Sequence, residues 1–194
     1  ETLHNVTVSR MRAAVNLTTF TTAGRAAHVP VSSSTHIVAM LRPSTARRNP
    51  LVTLRVLAAL KERLRDRVTL ATFGCSHEEF LRTTREAGVS ASEISHHGER
   101  TRDEVALLFA QASIFIDASK WQAFGRTGLE AMAAGCVPLL PHNSGASEYA
   151  RHGDNSLLIN PDDVESVVEA ASALVSDQAR LERMCVQARA TATE

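Results

Sequence analysis

Short apolar runs alternate with longer stretches of helical period along most of this chain. The runs are Ile37-Val38-Ala39-Met40-Leu41, Val68-Thr69-Leu70-Ala71-Thr72-Phe73, a weaker one near Ile94, Ile114-Phe115-Ile116, Val137-Pro138-Leu139-Leu140 and Leu157-Leu158-Ile159. Such runs suit strands covered on both faces. Between them lie marked helix starts. Asn49 and Pro50 form a cap and first-turn proline before Leu54, Leu57, Leu60 and Leu64, which share one face. Thr101 and Glu104 have capping-box spacing ahead of Val105, Leu108 and Phe109. Asn160-Pro161-Asp162-Asp163 opens a segment with Val164, Val167, Val168 and Ala171 on one stripe, and a final helix turns Leu181, Met184 and Ala188 inward. Strand followed by helix, about six times over, predicts an α/β fold with a doubly wound parallel sheet of about six strands. Ligands of such sheets bind beyond the carboxyl ends of the strands, where helix N-termini converge. The first 35 residues, with Thr18-Thr19-Phe20-Thr21-Thr22, Pro30 and Ser32-Ser33-Ser34-Thr35, lack this texture and read as a connector rather than core.

Composition narrows the class. With 194 residues, 44% hydrophobic and 22% charged, the chain fits one globular domain and excludes disorder and a disulfide scaffold. Aromatics make up only 4%, so alanine, valine and leucine must fill the core. The 21 basic residues balance the 21 acidic ones, which leaves no global field for nucleic acid. A local basic cluster, Arg42, Arg47 and Arg48, stands in a stretch poor in acids. Cys75, Cys136 and Cys185 lie far apart without C-x-x-C spacing, which argues against zinc or disulfides and for a reducing, cytoplasmic setting. No window has the length of a membrane span, and no signal-peptide core is present at the start. Asn5-Val6-Thr7 and Asn16-Leu17-Thr18 have the form of glycosylation sites, a triplet common by chance. The chain starts at Glu1 rather than methionine, which points to an excised portion of a longer protein.

Two segments could carry chemistry. The first leaves the first strand as Arg42-Pro43-Ser44-Thr45-Ala46-Arg47-Arg48-Asn49, with neither a G-x-G-x-x-G fingerprint nor a G-K-[ST] P-loop. Two guanidinium groups six residues apart on a tight loop can converge on a diphosphate, although a solvated basic loop reads the same way. The second runs from Asp117 to Gly135. It follows a buried strand and enters a helix whose free N–H groups near Gly125 to Gly128 make an anion site, with Gly128 expected to let phosphate approach the backbone. Glu130 sits in the opening turns of that apolar helix, where a carboxylate needs a partner or a function. Beside a diphosphate it could accept both hydroxyls of a ribose. Otherwise it is a helix-dipole or salt-bridge glutamate.

The order Gln122-Ala123-Phe124-Gly125, Glu130-Ala131-Met132-Ala133-Ala134-Gly135, Val137-Pro138-Leu139 and then Gly153-Asp154-Asn155-Ser156-Leu157-Leu158 resembles the GT-B glycosyltransferases. The likeness is to the C-terminal half of the retaining Glu-x7-Glu family, which includes bacterial mannosyltransferases, sucrose synthase-like enzymes and lipopolysaccharide transferases. It covers about His36 to Ala190. It implies a Rossmann-like domain at 36–194 that binds the nucleoside-diphosphate sugar donor, with 1–35 an interdomain connector or partial element. The N-terminal acceptor domain would be absent from this chain, and the acceptor glycan or lipid-linked glycan would come through it. The resemblance also implies an isolated fragment of little activity, compatible with membrane-surface association, acting in polysaccharide or glycoconjugate synthesis. No cofactor or metal is expected beyond the sugar nucleotide, and no D-x-D motif is present.

Site roles follow from the same resemblance. Arg42 and Arg48 would meet the pyrophosphate, with Arg47 a neighbour able to substitute. Glu130 would hold the ribose hydroxyls, and the backbone of Phe124, Gly125, Arg126 and Thr127 would meet donor phosphates and sugar. His97, Gly98, Glu99 and Arg100 match the loop that reads the nucleobase, largely through backbone atoms. Gln122 and Glu130 are the catalytic candidates, but Gln122 stands where the motif has its first glutamate. An amide keeps an acceptor and loses the charge, which implies altered donor recognition or else weakened catalysis. Leu41 and Asn49 replace glycines that usually flank the basic pair. None of His28, His96, His97 and His142 matches the histidine that the family's other domain supplies. Two alternatives stand beside this reading: a non-catalytic nucleotide-sugar-binding or interaction domain of the same fold, and a sugar-nucleotide isomerase.

Overall fold

The structure, a computed structural model, describes residues 16–26 and 34–193. Asn5 and His28 lie outside them. Six strands, β1 (Thr35–Met40), β2 (Val68–Phe73), β3 (Ser95–His96), β4 (Ile114–Ile116), β5 (Val137–Pro141) and β6 (Leu157–Ile159), form one sheet in the order β3-β2-β1-β4-β5-β6. Every pairing is parallel, with Ile37 opposite Leu70 on one side and Ile114 on the other. The order reverses between β1 and β4, so their outgoing loops diverge and open a crevice at the strands' carboxyl ends. The doubly wound α/β fold expected from the run pattern is the one observed.

Among the described residues seven helices cover the two faces: α1 (Thr18–Ala26), α2 (Pro50–Leu64), α3 (His77–Ala87), α4 (Arg102–Gln111), α5 (Arg126–Ala134), α6 (Val164–Ser176) and α7 (Gln178–Thr193). Strand residues alternate between the two layers, as the period of two requires. Ile37, Leu70, Ile114, Ile116 and Leu139 pack with Leu54, Leu57 and Leu60 of α2 and with Val167, Val168 and Ala171 of α6. Val38, Phe73 and Phe115 pack against Phe109 of α4 and Ala131 and Ala134 of α5. Phe109 meets Phe73 and Phe115 edge-on, with ring centroids 5.8 and 5.1 Å apart, so these three phenylalanines gather on one side of the sheet.

Three local features differ from the sequence pattern. The Thr-rich stretch read as connector contains α1, which buries Phe20 to 1% exposure, 6.2 Å from the ring of Phe109. Threonine lowers helix propensity, but burial of one aromatic outweighs that local preference. Helix α3 was not evident from apolar periodicity because its sequence, HEEFLRTTREA, is mostly polar. Its signature is the capping box of Ser76 and Glu79, with Gly88 ending it. Asn49 does not cap α2 through its side chain. It adopts the left-handed conformation, φ 54° and ψ 51°, which asparagine tolerates better than most residues and which suits a position where the resembling family has glycine.

The capping box of Thr101 and Glu104 forms as its spacing predicts, with Thr101 Oγ1 accepting from the Glu104 N–H and the Glu104 carboxylate accepting from the Thr101 N–H at 2.8 Å. Replacing Thr101 with alanine is expected to cost about 1 kcal/mol of stability, measured by denaturant unfolding.

Candidate functional site

The ladders end along one edge of the sheet, and each hands over to a loop there. Leu41 N–H bonds Phe73 O, Gly74 N–H bonds Gly98 O, and Asp117 N–H bonds Leu139 O, at 2.8 to 3.0 Å. The loop after β1 (42–49), the turn at Gly74, the loop 97–101 and the loop 117–125 therefore start from fixed backbone. The basic loop and the loop after β4 are tied together by Lys120 N–H donating to Arg47 O at 2.9 Å.

Arg48 and Asp117 form the electrostatic centre of this edge. Arg48 Nη1 stands 3.6 Å from Asp117 Oδ2, with both side chains largely withdrawn from water. Nη1 is buried and makes no hydrogen bond, and the same holds for Asn49 Nδ2 beside it. Burial lowers the pKa of the Arg48 guanidinium; Asp117 opposes this, and Arg47 and Arg42 add to it. The three arginines of the loop thus share one neighbourhood. Arg47 turns its guanidinium over the ring of Trp121, 5.3 Å from the centroid, and leaves the inner position to Arg48. Arg42 lies beside the Gly74 turn.

Helix α5 brings the second half of the site. Gly125, at φ 81°, starts the helix without a side-chain cap, so the first N–H groups, of Arg126 and Thr127, have no acceptor within the helix. Tyr149 fixes this turn by donating its hydroxyl to Gly125 O at 2.5 Å, with its ring against Phe124. Glu130, one turn on, is 13% exposed in its side chain and lies between Arg102 Nη2 at 3.6 Å and Arg126 Nε at 3.7 Å. Burial raises its pKa above the ordinary 4.5, opposed by Arg126 and Arg102. Arg102, at the start of α4, also covers the ring of Phe20 and donates to Asn16 O, so it joins α1 to this carboxylate.

Gln122 is buried in the loop between the two halves. Its amide nitrogen donates to Asp117 Oδ2 and to Ser119 Oγ, the latter at 3.2 Å, and its backbone carbonyl accepts from Gly145 N–H at 2.8 Å. Gly128 does not serve as a place for phosphate to reach the backbone. A Cβ there would stand 2.7 Å from Leu140 Cδ2 and 2.8 Å from the Tyr149 hydroxyl, so its missing side chain lets α5 seat against β5 and Tyr149.

The loop after β3 is built around His96, which stacks on Phe80 with centroids 4.4 Å apart and contacts Thr72 Oγ1 at 3.0 Å and Cys75 O at 3.0 Å, and whose pKa burial lowers. It anchors the loop of His97, Gly98, Glu99 and Arg100. Arg100 pairs with Glu104 at the surface, away from Glu130. His142 is tied to Ile159 O. Sequence reading passed over Asp117, Ser119, Arg102, Gly145 and Tyr149 as participants. For Asp117 the signal was present: a carboxylate directly after a fully apolar strand, the same anomaly that marked Glu130.

Among the described residues no three His, Cys, Asp or Glu side chains are placed to hold a metal ion, and no helix is long and apolar enough to cross a membrane.

The sequence model of one family, described as "Glycosyl transferases group 1", matches residues 30–191. The chain belongs to that family. One similar relative is the lipopolysaccharide core biosynthesis mannosyltransferase LpsB of Rhizobium meliloti (strain 1021), 36% identical over 94 residues, which are 47% of this chain and 26% of LpsB. Curated relatives are matched over 8% to 26% of their own length. Among solved structures, the C-terminal domain of the group 1 protein LpcC from Francisella tularensis superposes with a TM-score of 0.71 at 16% identity, covering 93% of this chain and 97% of that domain. HepE of Anabaena, solved in complex with UDP, superposes at 0.69 with 18% identity over 92% of this chain and 49% of its own. The Rossmann-like architecture of this group 1 domain is therefore that of the C-terminal half of a GT-B glycosyltransferase.

Proposed function

We propose that this group 1 domain binds a nucleoside-diphosphate sugar and forms the donor half of a retaining glycosyltransferase. The observation that carries the reading is Arg48 Nη1: a buried guanidinium nitrogen without a hydrogen bond, at the carboxyl edge of the sheet. An orphaned buried donor of this kind costs about 1–3 kcal/mol, which an anionic acceptor such as a phosphate oxygen would offset.

In this reading Arg42 and Arg48 meet the two phosphates, together with the free N–H groups at the start of α5. Glu130 accepts the ribose hydroxyls, the loop 97–100 lies along the base, and Gln122 with the backbone of 124–127 surrounds the sugar. As the bond from the anomeric carbon to the diphosphate breaks, charge grows on the departing phosphate oxygens, where the arginines and helix dipole are already placed. An acceptor hydroxyl then takes the same face of the sugar, presented in this reading by a separate acceptor domain. LpsB's role as a mannosyltransferase supports hexosyl transfer, and HepE's complex with UDP supports a uridine nucleotide as the first probe. The free cysteines and the donor chemistry suit a cytoplasmic enzyme.

Calorimetric titration of this chain with UDP, GDP, UDP-glucose and GDP-mannose tests the reading. One nucleotide series should bind, and Arg48→Ala should weaken it about tenfold and flatten its salt dependence. Binding by none of the four would favour an interaction domain instead.

A further inference from the structure

We infer that Asp117 carries the negative charge that a glutamate at position 122 would supply, and that it positions Gln122 for the sugar of the sugar nucleotide. The inference rests on the donor-binding reading above and adds which residue sets the sugar contact.

Asp117 follows directly on β4, and its N–H continues the ladder to Leu139 O, so its carboxylate is held by the sheet rather than by a mobile loop. The side chain is 5% exposed. Oδ1 accepts from the Ser119 N–H at 3.0 Å. Oδ2 accepts from the Gln122 amide and faces Arg48 Nη1 at 3.6 Å. An ionised carboxylate only accepts, so the Gln122 amide must turn its nitrogen toward it, which settles the amide's orientation on chemical grounds. The second amide hydrogen goes to Ser119 Oγ.

Both donors of Gln122 are therefore consumed behind it, and only the carbonyl oxygen Oε1 remains to meet a ligand. Toward a sugar hydroxyl the amide acts as a pure acceptor, as a glutamate would, while the charge sits five residues upstream and is shared with Arg48. Moving the carboxylate from 122 to 117 also couples the two ends of the donor. The carboxylate that orients the sugar acceptor is the one that holds the phosphate-facing guanidinium.

The experiment is a charge swap read by paired titrations of this chain, using UDP and UDP-glucose, or GDP and GDP-mannose if that series is the one bound. Asp117→Asn should raise the Kd of the sugar nucleotide about tenfold and leave that of the diphosphate alone within about twofold or lower, since Arg48 is released from its ion pair. Gln122→Glu puts two carboxylates in contact and should lower the melting temperature. The double variant Asp117→Asn with Gln122→Glu reverses the pair and should return both the melting temperature and the ratio of the two Kd values to within about twofold of the parent. If Asp117→Asn is unfolded by circular dichroism, the parent and the double variant decide alone: a preserved ratio supports the inference and a lost one overturns it. Equal weakening of both ligands by a folded Asp117→Asn overturns it too, while the donor-binding reading stands. A parent that binds neither member of either pair removes that reading and this inference with it.

Discussion

Changing Glu130 to glutamine is expected to weaken nucleotide binding by a factor of about 30 while leaving the melting temperature unchanged or higher. In the proposed donor-binding reading the loss comes from turning two charge-assisted contacts to ribose hydroxyls into neutral ones, about 2 kcal/mol in all. The stability gain has a separate cause. Burial disfavours the Glu130 carboxylate more than Arg126 and Arg102 favour it, so its folded pKa lies above the unfolded one. A carboxyl raised in this way costs stability where it is ionised in both states, and the cost disappears as pH falls through the folded pKa. Parent and variant should therefore differ in melting temperature at neutral pH and converge in acid. Nucleotide affinity should move the opposite way, falling as pH drops from a point above the ordinary 4.5, and the variant should lose that step. A variant that loses affinity and stability together would make Glu130 a structural ion-pair residue instead.

Gly145→Ala is the second large effect, expected to cost about 3 kcal/mol and to abolish binding of the sugar nucleotide. An added Cβ would lie 2.5 Å from the Ala123 carbonyl carbon and 2.9 Å from Phe124 Cα, both backbone, so no side-chain rotation relieves the clash. The Gly145 N–H holds the Gln122 carbonyl, and the segment that must give way is the one that carries Gln122 into the site. Thermal melting and titration with UDP-glucose read the two effects on one sample. A shift of less than about 1 °C would show that the two loops are not in contact.

These two positions differ in how far the sequence revealed them. Glu130 was visible as a carboxylate in an apolar helix, and its place in the motif suggested a role, but its partners were hidden. Arg126 lies one turn before it, whereas Arg102 comes from another helix and was legible only as the residue after a cap. Gly145 carried no signal, because a close approach between two loops leaves no local pattern. Gly128 shows the reverse failure: a glycine at a helix start invites the thought of phosphate, yet Leu140 and Tyr149 occupy the space beside it.

The run at 114–116 matched its strand because a strand buried on both faces needs unbroken apolar residues, a requirement met within a few positions. The capping box at Thr101 and the stripe of α6 were legible for the same reason. Helix α1 was not, since Phe20 gains its burial from Phe109, far along the chain.

By itself the sequence determined the alternation of strand and helix, the edge of the sheet where a ligand would sit, and the residue types available there, because capping and periodicity act over one or two turns. Only the tertiary structure decided that Asp117 supports Gln122 and faces Arg48, and that Glu130 sits between two arginines. Those energies arise between segments that meet only when the sheet has formed, and burial in the closed fold is what makes an unsatisfied donor or a desolvated carboxylate count.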